Sequence, residues 1–374
     1  MPLCFGAGSH GRLACLWVAV LAGWIEFIAH AGAPLDKLFS EPEAIARAQA
    51  NPPRGAKRFR PARLNANLTQ DNSSPAFTPL SQFVLNLFPD LQPQVQITQV
   101  DALGEGRRVS HGVIDGIPGS HFLLAENSGV ITASVFIPGR GSYNIISQGG
   151  FNYTITEIDP AQAGDCGADE LIAPAKTGHA STVTAAAQLS PPPVIGAQLG
   201  PTTDPVSIVD VMVVYTPESL AGAGGTAAMT SLIDLAIAEG NTVYQNSRAN
   251  VRLRLAYQGL INYAESDSFR TNLTRLQAPG DGFMDDVFAL RDTARADVVC
   301  LITERGETNL SGLAFTLSTD VAGFKAQAFS VVKRSAAVGT YMFVHEISHN
   351  LGCQHDRENA LDVNGKPNVP VYSF

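Results

Sequence analysis

The 374-residue chain has little charge, little tryptophan and little cysteine. Only 16% of its residues are charged, and the formal net charge is −9. The basic cluster Arg54, Lys57, Arg58, Arg60 and Arg63 lies in a Pro-containing stretch of the N-terminal part and reads as a solvated linker. An acidic chain without a basic patch on its C-terminal half excludes nucleic acid as a partner. Both tryptophans, Trp17 and Trp24, and two of the five cysteines, Cys4 and Cys15, fall in the first 31 residues. That segment has a weakly basic start at His10 and Arg12, an apolar run from Leu13 to Ala29, and Ala29-His30-Ala31 as an A-x-A cleavage site. It reads as a signal peptide over residues 1–31, giving a secreted protein, extracellular or periplasmic. Glu26 interrupts the apolar run, which excludes a stable membrane anchor there. Export would leave Cys166, Cys300 and Cys353, an odd number, so the cysteines cannot all pair within one chain.

What is present is one dense constellation near the C-terminus: His345-Glu346-Ile347-Ser348-His349-Asn350-Leu351-Gly352-Cys353-Gln354-His355-Asp356, or H-E-x-x-H-x-x-G-x-x-H-D. Residues four apart on a helix point the same way, about 6 Å apart along the axis, so His345 and His349 can reach one ion. Glu346 sits on an adjoining face, placed to hold a water rather than to ligate. Gly352 can adopt the left-handed conformation that ends a helix, after which His355 can return as a third nitrogen ligand. Three protein ligands leave one position open, the pattern of a catalytic rather than a structural zinc. A row at Tyr341, Val344, Ser348 and Leu351 and a second apolar row at Phe343 and Ile347 predict a helix here, with Thr340 as its N-cap.

Residues 32–80 are rich in Pro, Asn and Ala and are expected to lack regular structure. Residues 81–160 alternate in short runs punctuated by Gly, Pro, Asn and Asp, the pattern of a small antiparallel β domain. His111 and His121 stand isolated within it and read as structural. Residues 161–205, with Pro191-Pro192-Pro193, read as a linker. From 206 to 374 the pattern is α/β: strands at 206–215, 251–257, 296–303, 312–315 and 328–333, and helices at 226–248 and 282–293 ahead of the metal helix. These predict a five-stranded mixed sheet with helices packed on it.

The zinc motif resembles that of the metzincin endopeptidases, and the terminal Asp356 favours their reprolysin-like branch. The order of elements in 206–356 is similar to that clan's catalytic domain, and the preceding β-rich segment is similar to the propeptide of secreted bacterial members. The resemblance implies an α/β (α+β) catalytic domain with a five-stranded mixed sheet and a zinc helix, preceded by a small all-β propeptide domain. It implies Zn2+ held by His345, His349 and His355, with Glu346 as general base. Asp356 would anchor the turn or a ligand ring, or stand as a solvated turn residue beside Arg357. Gly312-Leu313-Ala314 matches the family's Gly-x-Ala edge strand, which pairs with substrate. The partner would be a protein or peptide; oligomeric state is not legible. Cys166, in an Asp-Cys-Gly segment between the two domains, resembles a cysteine switch that closes the open metal position and makes the chain a zymogen; a free surface thiol or a disulfide are the alternatives. Cys300 and Cys353 are expected within disulfide range of each other. The family also carries a methionine turn beyond the third histidine. No Met follows Met342 before Phe374, so the sequence reads as a partial chain, and a catalytically impaired metal-binding or partner-binding module is the alternative function.

Overall fold

The computed structural model describes residues 35–40, 53, 55–65, 79–162, 164–167, 205–317 and 323–355. The predicted signal segment and Asp356 lie outside them. Nine strands form the first sheet: β1 (Phe39–Ser40), β2 (Ala56–Leu64), β3 (Gln82–Val84), β4 (Gln94–Gly104), β5 (Arg107–Ile114), β6 (His121–Asn127), β7 (Val130–Ile137), β8 (Gly141–Ser147) and β9 (Asn152–Ile158). Every pairing is antiparallel, in the order β1-β2-β9-β8-β7-β6-β5-β4-β3. Turn chemistry sets the register. Asn127 pairs with Val130, leaving Ser128 and Gly129 as a two-residue loop with φ of 51° and 79°, the left-handed pair a type I′ hairpin requires.

Both faces of this sheet are covered, which explains the unbroken apolar run Phe122-Leu123-Leu124-Ala125. Phe122 and Leu124 join Phe83, Val95, Tyr143 and Ile155 in the sheet's own core. Leu123, Ala125 and Val109 point the other way and share a core with the second half of the chain.

Residues 56–64, expected to lack structure, form strand β2 against β9. Within it, Lys57 and Arg58 meet Glu157 at 2.6 and 2.5 Å, Arg60 donates to the carbonyls of Asn86 and Leu87, and Ala62 and Leu64 are buried. Four basic side chains and Pro61 within nine residues hid the alternation.

The second sheet runs β10 (Asp165–Cys166), β14 (Leu310–Ala314), β15 (Phe329–Lys333), β13 (Val298–Thr303), β11 (Ser207–Tyr215), β12 (Val251–Leu260). It has six strands rather than five. The five expected strands are there, and Asp165–Cys166, read as linker, adds itself parallel to β14. β12, β11, β13 and β15 are mutually parallel, and β14 runs antiparallel to β15. Helix α1 (Pro217–Ala223) follows β11. Helices α2 (Thr226–Asn246) and α5 (Met342–Asn350) cover one face, and α3 (Phe269–Gln277) and α4 (Asp286–Ala294) the other. Cys300 and Ile302 therefore face α2 and α5, whereas Val299 and Leu301 face α3 and α4. Among the described residues no single helix is long and apolar enough to cross a membrane. Helix α2 is clasped between the two sheets, which is why thirteen of its residues are buried.

Candidate metal site

Helix α5 begins at Met342, one residue later than Thr340 as N-cap would give. Its N-cap is Tyr341, in the left-handed region with φ 62°, and Thr340 instead donates its hydroxyl to Ala336 O at 2.5 Å. The helix ends as expected: Gly352 has φ 97° and its N–H reaches His349 O at 2.9 Å.

The turn brings three imidazoles together. His349 Nε2 lies 3.1 Å from His345 Nε2, which lies 3.3 Å from His355 Nε2. Cys166 Sγ, some 180 positions earlier in the sequence, stands 3.4 Å from His349 Nε2 and 3.5 Å from Glu346 Oε2. The ligand atoms of Cys166, His345, His349 and His355 all lie within 4.8 Å of one another. Three ring nitrogens and a sulfur turned toward one point suit a bound cation. His349 Nδ1 is 2.8 Å from the carbonyl of Cys353, which fixes the ring so that Nε2 faces the cluster. Burial lowers the pKa of His345 to about 4, with His355 nearby adding to the effect, so its ring stays neutral and able to ligate.

Glu346 is fully buried, and its Oε1 has no hydrogen-bond partner. Burial raises its pKa to about 8, partly offset by Cys166. Its carboxyl lies against Gly312, where any β-carbon would fall 2.5 Å from Oε1. The edge strand is likewise occupied. Cys166 pairs with Gly312 in register, Gly167 N–H donates to Gly312 O at 3.1 Å, and Asp165 N–H donates to Asn309 O at 2.9 Å.

Residues 206–370 match the family model Reprolysin_5, metallo-peptidase family M12. This stretch is similar to a metzincin-like M12 metallopeptidase domain. Proteins named peptidyl-Asp metalloendopeptidase are similar to it. That of Stenotrophomonas maltophilia (strain K279a) is 39% identical over 150 residues, which are 40% of this chain and 34% of that protein. That of Xanthomonas campestris pv. campestris is 36% identical over 148 residues, again 40% and 34%. That of Pseudomonas aeruginosa is 31% identical over 179 residues, 44% and 27%. The chain thus spans about a third of the length of the curated relatives it matches. Among solved structures, metalloproteinase-II from Bacteroides fragilis covers 77% of this chain and 86% of that chain at 13% identity, with a TM-score of 0.35.

The C-terminal half departs from expectation at its cysteines: Cys300 and Cys353 are not joined, and both are free. Cys300 is enclosed in the core between the sheet and α2, and burial raises its pKa to about 12. Cys353 sits exposed beyond the glycine turn, where its backbone serves the site and its side chain faces outward.

Two residues at the site escaped sequence reasoning. Asn350 is buried and donates its amide to Phe315 O at 2.7 Å and Phe329 O at 3.1 Å, tying the end of α5 to β14 and β15. Ser348 bonds Val344 O at 2.7 Å and Tyr244 OH at 3.0 Å, joining α5 to α2. The x positions of the motif carry no side-chain rule, so only the packing shows these roles.

Proposed function

We propose that the chain is the exported precursor of a zinc endopeptidase, kept latent by Cys166. The observation that carries this reading is the position of Cys166, 3.4 Å from His349 and 3.5 Å from Glu346 while its own segment occupies the edge strand. The donor set fits zinc. A tetrahedral zinc with bonds of about 2.0–2.1 Å to nitrogen and 2.3 Å to sulfur holds its nitrogens roughly 3.3–3.4 Å apart and nitrogen from sulfur about 3.6 Å. The spacings here are 3.1 and 3.3 Å between nitrogens and 3.4 Å from nitrogen to sulfur. His345, His349 and His355 would hold the ion in the active enzyme, and Cys166 would be the fourth ligand of the latent form.

Bound zinc supplies a Lewis acid that polarises the scissile carbonyl and acidifies water. The chain's own residues supply the rest. Glu346 takes the proton of the attacking water on its carboxylate and returns it to the departing amine nitrogen. Gly312 lets the carboxyl lie against the edge strand, so the base and the bound peptide share one short span. Release of residues 165–167 frees Gly312 O and Asn309 O to pair with a substrate strand. The relatives' name supplies the substrate class: we extend peptides bearing aspartate at the cleavage site to this chain. The nine-stranded sheet is then the propeptide, and its shared core with α2 holds the Cys166 segment in register.

The complete precursor would be assayed on a denatured protein before and after Cys166→Ser. Zinc-dependent cleavage next to aspartate that appears with Cys166→Ser and vanishes with added Glu346→Ala is the expected result. Equal activity with and without Cys166 would overturn latency, and activity surviving Glu346→Ala would overturn the base.

A further inference from the structure

Among the described residues outside the metal site, Glu157, Asp234, Glu239 and Glu265 are buried carboxyl groups that the proposed chemistry does not use. Glu239 lies on α2, 1% exposed, where the nine-stranded sheet and the loop leading into α5 meet. Both of its oxygens accept the N–H of Gly339, at 2.9 and 3.0 Å. No basic side chain bonds it among the described residues.

The sheet side of this contact is polar and incompletely satisfied. Ser134 on β7 and Asn144 on β8 are cross-strand partners, both buried. Asn144 Oδ1 lacks a hydrogen-bond partner, and Ser134 lies close enough to Glu239 to act on its carboxyl. The hairpin presses directly on the loop: a β-carbon at Gly339 would lie 2.7 Å from Ile158 Cδ1 and 3.2 Å from Asn144 Cβ. Two residues on, the left-handed Tyr341 meets His121 Nε2 of β6 at 3.0 Å. Glu239 thus touches the launch of the metal-site helix on one side and the docked sheet on the other.

We propose that Glu239 is a positioning residue that ties the start of α5 to the docked nine-stranded sheet, and that ionisation of its carboxyl loosens the sheet.

The physical reason is desolvation. A buried carboxylate without a cation is costly, so the group stays protonated instead. Burial raises the Glu239 pKa to about 7, against the smaller opposing effects of Ser134 and the Gly339 N–H. Undocking the sheet lets water reach the carboxyl and returns its pKa toward the ordinary 4.5. The docked form therefore holds a proton that the undocked form has lost. Docking is strongest below pH 4.5 as far as this group is concerned, weakens as pH rises to about 7, and is level above that.

Other groups face the same contact. His121 has its pKa lowered by burial, so its protonation in acid favours undocking and works in the opposite sense. Tyr341 has its pKa raised by burial, away from this window. Asp234, further back on α2, has its pKa raised by burial although Arg107 of β5 binds it. It adds to the trend of Glu239, so the variant is needed to separate the two.

The test is hydrogen exchange of the full chain from pH 5.5 to 7.5, each rate corrected for the intrinsic pH dependence of amide exchange. Docking is read directly, whatever the peptidase activity. The opening equilibrium of β7 and β8 amides should rise with pH, by up to about tenfold per unit, while amides in the middle of β11 and β13 hold steady. In Glu239→Gln, which keeps an acceptor for Gly339, most of that rise should disappear; in His121→Asn it should persist. A wild-type opening that is flat over this range overturns the proposal without recourse to any variant. So does an undiminished slope in Glu239→Gln.

Discussion

Gly312 and Glu346 lie so close that a single methyl group would separate them: a β-carbon on Gly312 would stand 2.5 Å from Oε1 and 2.8 Å from Cγ of the glutamate. The glutamate has nowhere to retreat, because it is fully buried between α5 and the sheet. Gly312→Ala should therefore cost about 1–3 kcal/mol, the usual penalty of overpacking, and should displace the carboxyl from the edge strand. Chemical denaturation measures the first effect and turnover of an aspartate-containing peptide the second. An unchanged denaturation midpoint would mean that the helix and strand can part without cost.

Asn350 sets the spacing at the other end of the same contact. Its amide gives one hydrogen bond each to Phe315 O and Phe329 O, and Leu317 N–H reaches His349 O at 3.1 Å just beside them. Asn350→Ala leaves two buried carbonyls short of a donor, a loss of about 1–3 kcal/mol. Since the helix end also carries His349, metal affinity should fall with stability. Titration with a competing chelator would show it; full affinity in the variant would confine Asn350 to the fold.

The chemistry was legible because it is local. His345, His349, Gly352 and His355 lie within eleven residues; helix geometry aligns His345 with His349, and the turn at Gly352 returns His355. The five strands of the C-terminal half were legible from apolar runs bounded by Gly and Asp. What stayed hidden depends on contacts between distant segments. Asp165–Cys166 becomes a strand only because β14 offers an open edge, and two residues show no periodicity. Residues 56–64 pair with β9 across some ninety intervening positions, and their charges masked the pattern. The disulfide failed for a similar reason: proximity along the fold said nothing of which way Cys300 and Cys353 point.

Arg107 and Asp234 form the buried ion pair between the two sheets' shared helix and β5. Two hydrogen bonds, of 3.0 and 2.5 Å, join them in bidentate fashion. Asp234 is nearly inaccessible, and burial still raises its pKa despite the arginine. Arg107→Met would leave that carboxyl without its partner, at a cost of about 3–5 kcal/mol. The double variant Arg107→Met, Asp234→Leu should recover much of the loss, since no charge then stays buried. Thermal unfolding of the single and double variants decides it. Equal stability of wild type and Arg107→Met would show that the pair contributes nothing to docking.

Cys166 offers the most direct view of the closed metal site. In cobalt-substituted wild type, a thiolate on the metal should give a near-ultraviolet charge-transfer band, and Cys166→Ser should lack it while keeping the weaker visible bands of three imidazoles. The same substitution should raise the accessibility of the edge strand, because the short pairing of Asp165 and Cys166 with β14 is too small to persist without an anchor. Amide exchange at Gly312 and Ala314 would report that opening. Glu346→Gln is the control, since it removes the carboxylate 3.5 Å from the sulfur and leaves all four metal donors in place. The charge-transfer band should survive in it. A band absent from wild type, with cobalt bound by the histidines, would place the thiol outside the metal's reach and leave Cys166 as no more than a hydrogen-bond donor to Glu346.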